Sequence, residues 1–294
     1  ASVCRALDKH QEHSWIGLSR SELDLKDRSS VFSFLQNSQV DAIILSAARV
    51  GGIGANAAHP VEFLSENVQI QTNVMDAAHA ANINRLVFLG SSCIYPKYAE
   101  QPIREDSLLT GPLEATNEAY AIAKISGVKL VNAYRVQHGT TWISVMPTNL
   151  YGTGDNYDLE TSHVLPALIR KIVEARDEGR DEVVMWGTGS PLREFMHADD
   201  LADALVFLME RYSGHDHVNV GSGQEISIRD LADTIAHAAG YKGRIVNDTS
   251  KPDGTPRKLM SSDRLHEMGW RPGIPLDTGI ARCITEFEAI RDTN

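Results

Sequence analysis

"HPVEFLSENVQIQTNVMDAAHAANINRLVFLGSS" (residues 59–92) joins two kinds of element back to back. Residues 59–82 read as a helix opening with Pro60, because proline suits a first helical turn whose N–H groups have no partner. "RLVFLGSS" (85–92) is an apolar run ending in hydroxyls, as a strand does where it reaches a sheet edge. Upstream, "DAIILSAA" (41–48) is almost continuously apolar, the pattern of a strand buried on both faces. Downstream, "NEAYAIAKISGVKLVNAYRVQHG" (117–139) is a long amphipathic helix ending at Gly139, and "TWISVMP" (141–147) is a strand stopped by Pro147. Strand, helix, strand, helix, strand predicts a parallel sheet covered by helices.

The reading is therefore α/β, with a doubly wound parallel sheet of Rossmann type and a smaller α/β substrate domain. Residues 1–160 form the dinucleotide-binding domain and 161–294 mainly the substrate domain, with part of 195–225 returning to the first. Past residue 160 the pattern loosens: a helix near 163–178, the strand "EVVMW", a helix near 199–212, the strand "HVNVG", a helix near 227–239, then a Pro/Gly-rich tail. The start is unusual. "ASVCRALDKHQEH" (1–13) reads as the body of a helix and "SWIGLSR" (14–20) as a second strand. In such folds a first strand and a Gly-rich turn precede that helix, so both are expected to lie before residue 1.

Composition removes several classes. With 294 residues and 42% hydrophobic content, no window approaches the ~20 apolar residues of a membrane span. No basic region followed by an apolar core marks a signal peptide. Cys4, Cys93 and Cys283 are scattered and odd in number, which argues against a disulfide framework or a cysteine zinc site and suits a cytoplasmic protein without a metal. The net charge of −11 and the lack of a basic stripe argue against nucleic acid.

The most specific chemical signal is "NEAYAIAKISG". Tyr120 and Lys124 lie four residues apart, on one face of a helix. An amine beside a phenol is expected to favour the phenolate, and the phenol can hand a proton to a carbonyl oxygen while hydride reaches carbon. Ser91, at the end of the preceding strand, and "MPTNLYG" after the next one strengthen the pattern. Arg20 in "GLSRSELDL" stands where an arginine accommodates the 2′-phosphate of NADP, although a solvated arginine fits the residues equally well.

Tyr120, Lys124 and Ser91 resemble the catalytic triad of the extended short-chain dehydrogenase/reductases. "AARVGGIGANAAHPVEF", "GSSCIYPK", "MPTNLYG", "SHVLPALIRK", "WGTGSPLREFMHADDLA" and "KPDGTPRK" are similar, in order and spacing, to the GDP-sugar epimerase–reductases within them. The resemblance implies NADPH-dependent 3,5-epimerisation and 4-reduction of GDP-4-keto-6-deoxy-D-mannose to GDP-L-fucose. It implies that Cys93 and His163 exchange protons at the sugar carbons. It places NADP(H) against Arg20, Ser91, Tyr120, Lys124, Pro147, Asn149, Leu150 and His163. It places the GDP group against Lys171, Trp186, Arg193 and Asp253, although Trp186 also reads as core and "KPDGTPRK" as a turn. Other activities on the same fold are a nucleotide-sugar 4-epimerase, a 4,6-dehydratase or a non-catalytic nucleotide-binding protein. The helices near 61–81 and 118–137 are expected to form a homodimer.

Overall fold

The computed structural model describes residues 1–10, 13–251 and 253–292. In chain order the first half contains α1 (Ser2–Leu7), α2 (Arg28–Asn37), β1 (Ala42–Leu45), α3 (Ile53–Ala58), α4 (Pro60–Ala80), β2 (Arg85–Leu89), α5 (Glu118–His138), β3 (Ile143–Pro147) and β4 (Asn149–Tyr151). The second half contains α6 (Val164–Asp177), β5 (Glu182–Trp186), β6 (Leu192–His197), α7 (Ala198–Arg211), β7 (Val218–Val220), β8 (Glu225–Ser227), α8 (Ile228–Ala239), β9 (Arg244–Asp248), β10 (Arg257–Lys258), α9 (Asp263–Glu267) and α10 (Leu276–Asp292).

The main sheet is parallel, in the order β1-β2-β3-β7. Its strands bury alternate side chains in opposite layers, as the two-residue period requires. Leu86 and Phe88 of β2 pack with Val74 of α4 and Val128 of α5. Val87 between them packs with Leu201 and Leu205 of α7 on the other face. Both faces are covered, which is why these strands read as apolar runs. The covering helices end where the sequence marks it: Pro60 sits in the first turn of α4, and Gly139 closes α5 at φ +69°.

A second core gathers Leu168 and Ile172 of α6, Leu231 and Ile235 of α8, and Ile280 and Ile284 of α10 over β5 and β9. Between the two regions, β6 pairs with β4, β8 and β10.

Three expectations need correction. Residues 14–20 form no strand, because no strand of the described residues runs beside them to supply a ladder. Trp15, Ile16 and Leu18 consequently stay 40%, 66% and 42% exposed. The first helix is only the six residues Ser2–Leu7, and Gln11 and Glu12 of the expected longer helix lie outside the described residues. The Pro/Gly-rich tail is also more regular than it reads, since it carries β9 and the 17-residue α10.

Candidate active site

The site begins at the carboxyl end of β2. The Gly90 N–H donates to the Val145 carbonyl at 2.8 Å. A Cβ on Gly90 would lie 2.3 Å from the Met146 sulfur, so any side chain here would have to displace that buried methionine. Ser91 is extended, and its Oγ accepts from the Cys93 N–H at 3.2 Å, capping the short 3₁₀ turn Ser92–Ile94. This local cap turns Ser91 and Cys93 toward α5.

From α5, Tyr120 and Lys124 reach the same place one turn apart. The Phe63 ring meets Tyr120 edge-on, with centroids 6.2 Å apart. Burial raises the titration of the phenol, the nearby Cys93 charge raises it further, and hydrogen bonding by Ser91 acts in the opposite sense. Lys124 is 3% exposed, donates to the Leu89 carbonyl at 2.7 Å, and lies 5.9 Å from the Tyr120 ring centroid. Burial alone pushes its ammonium from 10.5 down to about 7. The expected phenolate is therefore corrected. Desolvation disfavours the charged form of both groups, leaving Tyr120 a phenol with a proton to give.

Two nitrogens converge on Cys93. Asn117 Nδ2 lies 3.3 Å and Lys258 Nζ 3.8 Å from its Sγ. A small cavity beside the thiol is lined by Lys97, Gln101, Glu114 and Arg257 among others.

His163 caps α6 on a separate loop and is exposed. That loop packs on the segment after β1: the Gly52 N–H donates to the Thr161 carbonyl at 3.2 Å. Among the described residues the imidazole makes no hydrogen bond to Cys93 or Tyr120. Asp155 lies within electrostatic reach of it, and burial raises the Asp155 carboxyl. Ser91, Cys93, Tyr120 and Lys124 are thus brought into one group, with His163 on a neighbouring loop.

Pro147, Asn149 and Leu150 continue the strand-end row beside Gly90; Asn149 Nδ2 donates to the Glu194 carbonyl at 2.8 Å. Arg20 is 72% exposed and 3.9 Å from Asp24, outside this cluster. The donor set fits a dinucleotide at the strand ends. Lys124 offers three N–H donors, only the Leu89 carbonyl accepts from them, and no carboxylate pairs with it among the described residues. A ribose diol would meet that demand. Among the described residues no group of three or more His, Cys, Asp or Glu side chains is arranged to hold a metal.

The remaining four predicted residues form a second cluster. Trp186, at the end of β5, is 63% exposed, which excludes the core reading. Lys171 and Lys251 lie 5.3 Å and 5.4 Å from its ring centroid. Asp253 accepts from Thr188 N at 2.9 Å and Thr188 Oγ1 at 2.7 Å. Gly187, at φ +76°, must be glycine there, since a Cβ would lie 2.3 Å from the Asp253 carboxylate. Burial lowers the titration of Arg193, and the facing charge of Asp253 raises it. In the β6–β10 register Arg193 lies opposite Lys258, so one strand pair joins this cluster to the thiol.

Sequence reasoning missed Asn117, Lys251 and Lys258. Asn117 precedes Tyr120 by three residues and could have been found by helical spacing; Lys251 and Lys258 lie at the two ends of "KPDGTPRK".

Residues 1–221 match the family described as the NAD dependent epimerase/dehydratase family. The chain is 54% identical over 282 residues to GDP-L-fucose synthase 1 of Arabidopsis thaliana, covering 96% of this chain and 87% of that one. It is 47% identical over 292 residues to the GDP-L-fucose synthase of Escherichia coli strain K12, covering 96% and 90%. Among solved structures, a GDP-L-fucose synthetase from Naegleria fowleri bound to NADP superposes with a TM-score of 0.90 at 29% identity, covering 99% of this chain and 91% of that one.

Proposed function

The chain belongs to the NAD dependent epimerase/dehydratase family, and we propose that it converts GDP-4-keto-6-deoxy-D-mannose to GDP-L-fucose by 3,5-epimerisation and NADPH-dependent 4-reduction. The observation that carries this reading is Ser91, Cys93 and Tyr120 meeting at one strand end. A pure reductase needs the serine and the tyrosine; inversion of carbons beside a ketone also needs a proton carrier, and the thiol supplies one.

Trp186 and the cations Lys171 and Arg193 hold the GDP group, and Asp253 fixes the loop around it. The hydrogens on C3 and C5 are acidic because they flank the C4 ketone. When one leaves, its C–H bond breaks, a bond from hydrogen to the accepting side chain forms, and the electron pair moves onto the C4 oxygen. Tyr120 and Ser91 donate hydrogen bonds to that oxygen as it becomes an enolate. Cys93 and His163, on opposite sides of the ring, remove and return the protons. In the reduction, NADPH supplies hydride to C4 when bound. Tyr120 then gives its proton to the C4 oxygen, which its retained phenol form permits. Lys124 would donate to the nicotinamide ribose, Pro147, Asn149 and Leu150 would line the cofactor at the strand ends, and Arg20 would hold the 2′-phosphate. The reaction belongs in the cytoplasm, where three unpaired cysteines suit a reducing environment.

Two copies pair through α4 and α5. Val61, Leu64, Ile122 and Val136 are exposed apolar residues on these helices, which supports such a pairing. Among the described residues no helix is long and apolar enough to cross a membrane. The deciding experiment incubates the protein with NADPH and GDP-4-keto-6-deoxymannose and identifies the product by NMR. A product reduced at C4 but not inverted at C3 and C5 would refute the epimerase half.

A further inference from the structure

We infer that Lys258 is a positioning residue for proton transfer, holding negative charge on the Cys93 sulfur whenever the thiol is deprotonated; this rests on the epimerase reading above. An ammonium has donors and no acceptor, so the sulfur it faces at 3.8 Å must be the acceptor. Asn117 Nδ2 approaches the same atom at 3.3 Å, so both nitrogens present N–H groups to one sulfur. The other groups around the thiol are Ser91, which caps its backbone, the un-ionised Tyr120, and the charged residues of the adjoining cavity.

Those other cations are already neutralised. Arg257 pairs with Glu225 at 2.7 Å and Lys97 with Glu114 at 2.7 Å. Lys258 pairs with no carboxylate among the described residues, and its one polar side-chain contact is the sulfur. Its backbone is fixed on both sides. Lys258 pairs with Arg193 across β6–β10, and the next residue, Leu259, donates to Gln101 Oε1 at 2.8 Å. The lysine is thus anchored to the strand that carries Arg193 of the substrate cluster, so the geometry that seats the nucleotide also sets the charge beside the thiol.

The test compares wild type with Lys258→Met, Lys258→Gln and Lys258→Arg in two assays. Carbamidomethylation of Cys93 by iodoacetamide, followed on its peptide by mass spectrometry at neutral pH, reads the thiolate directly. A unit charge about 4 Å from sulfur favours the charged form by at most about fivefold under full solvent screening. Lys258→Met and Lys258→Gln should slow labelling by about threefold to fivefold, and Lys258→Arg should keep it within about 1.5-fold of wild type. Buried Cys283 must stay unlabelled in each variant, which reports that the fold is intact. Solvent deuterium incorporation at C3 and C5 should fall in parallel. Wild-type labelling rates in both neutral variants, with Cys283 protected, would overturn the inference. If wild type fails to turn over the GDP-sugar, the epimerase reading fails, and the labelling assay still decides on Lys258.

Discussion

Lys124 is expected to cost the protein stability, and the cost should depend on pH in a defined way. Its ammonium titrates at 10.5 in an unfolded chain and near 7 in the fold, because burial penalises the charge. A depressed lysine binds its proton more tightly in the unfolded chain, so this group's contribution to stability rises with pH between about 7 and 10.5. At roughly 1.4 kcal/mol for each pH unit, the full cost is about 5 kcal/mol, present at and below neutral pH. By pH about 9 it has fallen by about 2 kcal/mol. Lys124→Met removes the titrating group while keeping an unbranched side chain, and any packing change it brings is the same at both pH values. Urea melts of wild type and variant at neutral pH and at pH about 9, without dinucleotide, measure the difference. The stability gap in favour of the variant should shrink by about 2 kcal/mol at the higher pH. A gap that does not change between the two would refute the claim that the native ammonium is desolvated. A second readout follows: once a ribose takes up its free donors the ammonium is favoured again, so NADPH binding at neutral pH should draw in a fraction of a proton, measurable by calorimetry in buffers of different ionisation enthalpy.

Tyr120→Phe should lower the reduction rate by ~10²–10⁴-fold while GDP-sugar binding stays near normal, and full turnover in that variant would remove Tyr120 from the mechanism. Cys93→Ser and His163→Gln should slow deuterium incorporation at C3 and C5 more than reduction of a ketone already inverted; unchanged exchange in both would leave Cys93 a packing residue. Trp186→Ala should raise KM for the GDP-sugar roughly tenfold with kcat little changed, if its ring holds the GDP group as proposed and so contributes uniform binding. A fall in kcat alone would place Trp186 elsewhere in the reaction.

The parts legible in the sequence were those whose signals are local. β2 and β3 read as strands because both of their faces are buried, and α4 and α5 carry their own boundary residues. Tyr120 and Lys124 share one helix, and Ser91 and Cys93 one turn. Residues 14–20 misled because Trp15, Ile16 and Leu18 give strand-like composition, whereas a strand exists only beside a partner. α10 was hidden partly by Gly279, which weakens a helix by roughly 1 kcal/mol. That glycine is required by a distant contact: a Cβ there would lie 2.2 Å from the Tyr151 hydroxyl. Lys258 was illegible for the same kind of reason, since its partner Cys93 is 165 residues away and only the β6–β10 pairing brings them together.

How that pairing is held in place depends on Glu194, a residue with no signal of its own in the sequence. It is fully buried in β6, and burial raises its carboxyl. Oε1 accepts from the Gly223 N–H at 2.7 Å and Oε2 from the Met260 N–H at 3.1 Å. Its carbonyl accepts from Asn149 Nδ2 at 2.8 Å and Thr148 Oγ1 at 3.2 Å. The turn after β7, the segment after β10 and the strand ends of the main sheet therefore converge on one side chain and its backbone. Gly221 leaves room for it, since a Cβ there would lie 2.3 Å from Oε1. A buried carboxylate without partners would be strongly unfavourable, so those N–H groups are drawn to it as firmly as it is held by them. Arg193 lies one residue before Glu194, and Lys258, beside the thiol, lies two residues before Met260. Fixing both chain segments to one carboxylate fixes the spacing between Arg193, which faces Asp253, and Lys258, the cation beside the thiol.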